Sequence, residues 1–264
     1  MSTPPSALTI SVGSIASSPH RVAAAVTRRV LEAHGHRTSG VEAPAEQLFA
    51  LQARGWLDVL LSAWLPSSHA SLLVPHQDRV RVLSPQYHPH QVWAVPSYVP
   101  QKDVGEVADL ARPSVVARMS GLLRGVETDT GHGSARVLAA YGLDRLGYAF
   151  SPVMETAFRH WIRRSIARRE WFVVPVLRPH RAVHIHGLRP LEEPKGLLGP
   201  AEAASPVIGG DALTHIRPEA LTRLESVYLG VDDVEEIDAM LGARNVTALQ
   251  AADRYLSGRP GLLP

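Results

Sequence analysis

Residues 57–63 read as a buried strand that delivers an indole, Trp64, at its carboxyl end, followed by Leu65, Pro66 and the polar run Ser67, Ser68, His69. Ligands of open α/β sheets lie beyond the carboxyl ends of strands, so an indole there can wall a small-molecule site; the plainer alternative is that it packs. A second cluster, His180, His184 and His186, forms an H-x-x-x-H-x-H pattern. In an extended segment His184 and His186 would share one face, as a Zn²⁺ or Fe site requires, and a bound metal would make the protein a metal-dependent enzyme. No carboxylate lies inside that cluster. Other catalytic arrangements are missing: there is no cysteine, no G-x-S-x-G elbow and no G-x-G-x-x-G opening a helix. The glycines of residues 125–133 are spaced wrongly for a phosphate loop, and Glu127 and Asp129 within it read as solvated carboxylates. The expectation is a protein without cofactor or metal, and not an enzyme.

Alternating strands and helices must position these residues. Residues 8–12 read as a strand, 13–19 as a small-residue turn and 21–34 as a helix, with Val22, Val26, Val30 and Ala33 three and four residues apart and Gly35 closing it. A helix over 45–54, stopped by Gly55, precedes the Trp64 strand. This alternation predicts a parallel sheet flanked by helices. Residues 80–83 and 91–95 read as further strands, and Pro96 and Pro100 bracket an extended crossover. Helices are predicted over 104–111, 134–141 and 152–169, the last with Met154, Ala157, Phe158 and Trp161 on one face; 171–177 reads as an interior strand. The chain is then rich in Pro and Gly to about Gly210, and helical periodicity returns from Pro218 to Leu256. A chain that leaves a first lobe near residue 97 and returns near 190 makes two lobes, 1–96 plus 190–264 and 97–189, with a ligand cleft between them.

At 264 residues the chain is near the size where one core splits in two, and 45% hydrophobic with 20% charged residues is the composition of a soluble globular protein. A formal charge of only +2, with arginines spread along the chain, argues against a dedicated nucleic-acid surface. No apolar run reaches the ~18 residues of a bilayer span. Residues 1–8 lack the basic start, apolar run and cleavage site of a secretory signal.

Four segments in order carry a family resemblance. Asp58 to His69 resembles a "D-V-x-x-x-x-W-L-P-x-x-H" pattern; Val95 to Pro100, VPSYVP, resembles "V-V-P-x-Y-V"; Gly125 to Gly133, GVETDTGHG, is similar to "G-I-E-P-G-A-G"; and Val173 to Gly196 resembles "V-V-x-x-W-x-P-H-W" followed by "L-E-D-P-K-G". These are motifs of the glycine betaine and proline-betaine substrate-binding proteins of ABC importers. The resemblance implies a two-lobed periplasmic-binding-protein-like α/β fold whose lobes are joined by a double crossover. It implies a non-enzymatic role, binding a small betaine-like or carboxylate-bearing solute by lobe closure. The partners would be that solute and the permease and ATPase subunits of an importer, and the location extracytoplasmic. A cytoplasmic solute-sensing relative with no transport role is the alternative reading, since no secretory signal is read.

In such proteins indole faces hold a quaternary ammonium by cation–π attraction, while backbone N–H groups or a basic donor hold the carboxylate. Carried over, the resemblance assigns Gly13, Ser14 and Ile15 to the loop donating backbone N–H groups, Trp64 to the cage, Gly131 and His132 to the glycine-rich loop, and His180 and Arg181 to the last motif. This chain departs from the pattern in that the two indoles of "W-x-P-H-W" fall on Leu177 and Arg181. A guanidinium repels a contacting ammonium by roughly 1 to 4 kcal/mol. The departure points to a more anionic ligand, or one without a fixed cation. Trp93 and Trp161 are the other indoles that could supply faces, Trp161 reading as core.

Overall fold

The computed structural model describes residues 9–126, 131–242 and 245–259, and divides the chain into two compact units. The first unit runs to Pro89 and resumes at Glu202; the second spans His90–Ala201.

The first unit starts with β1 (Thr9–Ile15), α1 (Ser18–Ala33), β2 (Arg37–Ala43), α2 (Ala45–Ala53), β3 (Val59–Leu65), α3 (Ala70–Leu73) and β4 (Val80–Val82). The second contributes β5 (His90–Pro96), α4 (Pro113–Val116), β6 (Leu122–Val126), α5 (Gly131–Ala140), β7 (Ala149–Val153), α6 (Glu155–Ala167), β8 (Val174–Arg178), α7 (Arg181–His186) and β9 (Leu188–Pro190). The first unit then closes with β10 (Ala203–Gly209), α8 (Pro218–Ser226), α9 (Gly230–Leu241) and α10 (Ala248–Ser257).

In the first unit the sheet order is β2-β1-β3-β10-β4. β1 lies parallel to β2 and β3, as the strand–helix alternation predicts, but β10 runs antiparallel to both β3 and β4. The sheet is therefore mixed. β10 lies in the stretch read as irregular; its apolar core Val207–Ile208 is too short to announce itself between Pro206 and Gly209. One face of the sheet buries Ile10, Val12, Val59, Leu61 and Ile208 under α1 and the three C-terminal helices, where Val22, Val26, Val30 and Leu31 form the inward stripe of α1. The other face buries Leu57, Leu60 and Val207 against Leu48 and Phe49 of α2.

In the second unit β5 is central to a three-stranded antiparallel sheet of order β8-β5-β9, and β6 pairs parallel with β7. Because β5 hydrogen-bonds β8 and β9, it belongs to this unit, and the boundaries fall at 89/90 and 201/202 instead of 96/97 and 189/190. The helix predicted over 104–111 is a 3₁₀ turn, Val107–Ala111, entered by a capping box of Glu106 and Asp109. α6 is shorter than predicted, and Met154 ahead of it is 70% exposed, so it is no part of a core face. The strand predicted over 171–177 is β8, Val174–Arg178. Residues 181–186 form α7 and not the extended segment that the metal reading requires, which places His184 and His186 about 200° apart around a helix and removes their shared face. Among the described residues no group of three His, Cys, Asp or Glu side chains could hold a metal ion, and no helix is long and apolar enough to cross a membrane.

Candidate ligand-binding residues

In the first unit the candidates gather at the carboxyl ends of β1 and β3. Gly13, Ser14 and Ile15 are the last residues of β1, in register with Val41, Glu42 and Ala43 of β2. Gly13 and Ser14 also face Leu60 and Leu61 of β3. They are strand residues rather than turn residues, and a Cβ at Gly13 would stand 2.6 Å from a Leu57 methyl, so close packing accounts for the glycine. The turn into α1 is Ala16 and Ser17, one step later. The first-turn N–H groups of α1 have no partner inside the helix, and its dipole favours an anion there.

β3 carries a bulge just before Trp64. Its register with β10 shifts between Ser205 and Val207, so Leu61 and Ser62 face Pro206 alone, and Ser62 adopts φ 57°. A bulge re-aims the residues that follow it, and a proline opposite has no N–H to lose. Trp64 emerges half-buried. Its ring stacks on His20 of α1 with centroids 5.0 Å apart and planes 25° apart, and its indole N–H donates to the Tyr87 hydroxyl at 3.2 Å. Its backbone N–H donates to His69 Nδ1 at 2.9 Å, and its carbonyl accepts from His69 N–H at 2.9 Å. The intervening loop is held by the Glu202 carboxylate, which accepts from the N–H groups of Ser67 and Ser68 at 3.1 and 2.9 Å. The Leu65–Pro66 peptide within it is cis.

The electrostatics of this cluster follow from burial. His20 is 4% exposed, with Nδ1 2.7 Å from the Ser17 hydroxyl; burial, helped by the His69 charge, pulls its pKa down to about 3. Burial also lowers His69, against the opposing pull of the Glu202 and Glu46 carboxylates. Burial pushes Tyr87 up to about 12. Near neutral pH the cluster is uncharged, a set of aromatic faces that places no positive charge beside Trp64.

In the second unit His180 caps α7, accepting the Ala182 N–H on Nδ1 at 3.2 Å; the proton therefore sits on Nε2, which faces the Glu155 carboxylate at 3.3 Å. Arg181 lies 3.9 Å from the same carboxylate, and Arg159 lies 3.5 Å from it. Burial tends to raise Glu155, but the His180 hydrogen bond and the Arg181 and Arg159 guanidiniums together hold its pKa below the usual carboxylate value. Phe158 sits edge-on to His180, with centroids 5.6 Å apart. Arg181 is thus answered within its own unit. Leu177 is half-buried in β8 opposite Gln91. Gly131 and His132 open α5; their side chains lie outside the described residues, as do Glu127 and Asp129. Trp93 is completely buried in β5, and Trp161 packs on Phe172 and Phe158 at 4.9 and 6.0 Å, so both serve the interior of the unit.

His20, Tyr87 and Glu155 are the members that sequence reasoning missed. Each joins its cluster through the fold, from a helix start or a loop dozens of residues away.

Two α/β units with a chain that passes to the second and returns have solved counterparts. The chain matches lactococcal OpuAC, solved in its closed-liganded conformation with glycine betaine, at TM-score 0.68 and 20% identity over 96% of this chain and 97% of that one. It matches the glycine betaine, L-proline-binding protein ProX of Borrelia burgdorferi at 0.66 and 19%, over 97% and 95%. It matches an ABC-transporter choline binding protein in complex with choline at 0.63 and 17%, over 98% and 91%. The fold is that of the two-lobed periplasmic binding proteins. No curated protein matches the chain in sequence. Residues 8–258 match the OpuAC family, the substrate binding domain of ABC-type glycine betaine transport systems, and the chain belongs to it. It is a substrate-binding protein of an ABC importer, in a family of binders rather than enzymes.

Proposed function

We propose that this protein captures a small betaine-like zwitterion and delivers it, without chemical change, to the permease and ATPase subunits of an importer on the extracytoplasmic side of a membrane. The observation that carries this reading is the uncharged aromatic cluster of Trp64, His20 and His69. A methylated ammonium has no N–H to donate and is held by ring faces, which a protonated imidazole would spoil. The solute's carboxylate is taken at the start of α1, where first-turn N–H groups lie beside Gly13, Ser14 and Ile15 at the end of β1. In the second unit the proposal keeps Gly131, His132, His180 and Arg181 as ligand contacts. Two of the structural counterparts were solved with glycine betaine and with choline, which sets the size and charge of the solutes to try first.

Calorimetric titration with glycine betaine, choline, carnitine, proline and a dicarboxylate tests this. The expected result is saturable binding of a solute bearing both ammonium and carboxylate, weakened by about 3- to 30-fold in Trp64→Ala, the range of one cation–π contact. Binding of the dicarboxylate alone, or affinity unchanged in Trp64→Ala, would overturn it. Binding should also favour a closed form, read as a smaller radius of gyration at saturation.

A further inference from the structure

The solvent face of α6 carries a row of basic side chains. Phe158, Ile162 and Ser165 point inward, and on the opposite side Arg159, His160, Arg163 and Arg164 are exposed, with only Thr156, Ala157 and Ala167 between them. Arg168, just past the helix end, continues the row at 56% exposure. Like charges three and four residues apart destabilise a helix, and surface helices usually alternate sign to avoid this. Among the described residues the ion pairs of the row are with Glu155 at the helix start, 3.5 Å from Arg159, and with Glu170 beyond its end, 3.7 Å from Arg168. Among the described residues no carboxylate reaches Arg163 or Arg164. α7 packs beside α6 and presents Ile185, 51% exposed, between His184 and His186. Arg163 is near enough to help burial lower the His186 imidazole below its usual value. The second unit as a whole has 15 Lys and Arg against 10 Asp and Glu, so the row is not cancelled by its surroundings.

We infer that the exposed face of α6, with Ile185 of α7 at its margin, is a docking surface for an anionic phospholipid bilayer. The formal charges of the row are all arginines, whose planar fork matches phosphate oxygens in pairs. An exposed isoleucine beside it suits the boundary between headgroups and acyl chains. A single-stranded nucleic acid would need free ring faces, and three indole or phenol rings of this unit each already carry a guanidinium: Arg118 lies 3.6 Å over Trp171, Arg169 4.9 Å over Tyr98 and Arg124 5.2 Å over Trp161. The contact would concentrate the binding protein at the membrane that holds its importer.

Flotation of the full chain with vesicles of phosphatidylcholine alone, and with a third phosphatidylglycerol, tests the inference. The wild type is expected to float with the anionic vesicles only, and to be released in 0.5 M salt. Replacing Arg159, Arg163, Arg164 and Arg168 together by Gln should weaken partitioning by several hundredfold, on the order of fivefold per arginine. Ile185→Ser should weaken it by a few-fold at unchanged salt dependence. An unchanged melting temperature of the quadruple variant separates this from unfolding. No flotation with anionic vesicles, equal flotation with neutral ones, or tighter retention by single-stranded or duplex DNA than by anionic vesicles would each overturn it.

Discussion

Protonating His20 should destabilise the protein, and the size of the effect follows from its surroundings. The imidazole is 4% exposed, stacked on Trp64 and bonded to Ser17, with a pKa of about 3 against 6.5 for a free histidine. The folded value lies below the unfolded one, so the unfolded chain binds the proton more readily and stability falls as pH drops below 6.5, levelling off near 3. A shift of this size corresponds to about 5 kcal/mol over the whole window, of which about 2 kcal/mol is lost between pH 7 and pH 5. His69 and His76, also lowered by burial, act in the same direction. Urea unfolding at pH 7 and pH 5 should therefore show a loss of at least about 2 kcal/mol in the wild type. In His20→Gln that loss should shrink by about 2 kcal/mol, while the variant is less stable at pH 7 for want of the ring stack. Proton NMR should find the His20 ring still neutral at pH 5. A His20 titration midpoint near 6.5, or a pH dependence identical in wild type and His20→Gln, would refute the reasoning. The same neutrality predicts that His20 adds no positive charge beside Trp64 from pH 8 to pH 5.

Two further perturbations probe the supports of the candidate residues. Ser62→Val forces a β-branched residue to hold φ 57° in the bulge before Trp64; it should cost about 1–3 kcal/mol by thermal unfolding, and Ser62→Gly should restore most of the loss. Glu155→Gln leaves Arg181 and Arg159 without their shared carboxylate; it should weaken binding of an ammonium-bearing solute by about fivefold in calorimetry and change stability by less than about 1 kcal/mol.

What was legible in the sequence is what local pattern encodes. The valines of α1 recur at helical spacing, the run before Trp64 is continuously apolar, and the strand–helix alternation yields the parallel core β2-β1-β3. The errors fall where tertiary contacts decide. β10 is a strand because β3 and β4 offer it hydrogen bonds on both sides, not because its own residues alternate. Residues 181–186 become helical once His180 caps the turn after Pro179, a signal carried by one side chain accepting one N–H. The boundary at Pro89 could not be read locally, because the partners that bind β5 to its unit lie over eighty residues downstream.

Arg181 shows how the fold changes the charge a candidate position presents. Taken singly, a guanidinium where relatives of this pattern carry an indole reads as a repulsive charge and directs attention to anionic ligands. In the fold it shares the Glu155 carboxylate with His180 and Arg159, and that carboxylate is held ionised by the groups around it. A pair at 3.9 Å with a half-exposed partner is weak as a stabilising bond, but it sets a negative charge beside the guanidinium. The sign of the position is therefore set by a residue 26 places earlier, at the start of α6, whose carboxylate also meets the first arginine of the basic row. A zwitterion, with one end suited to neutral rings and the other to backbone N–H groups, is consistent with every charge so placed.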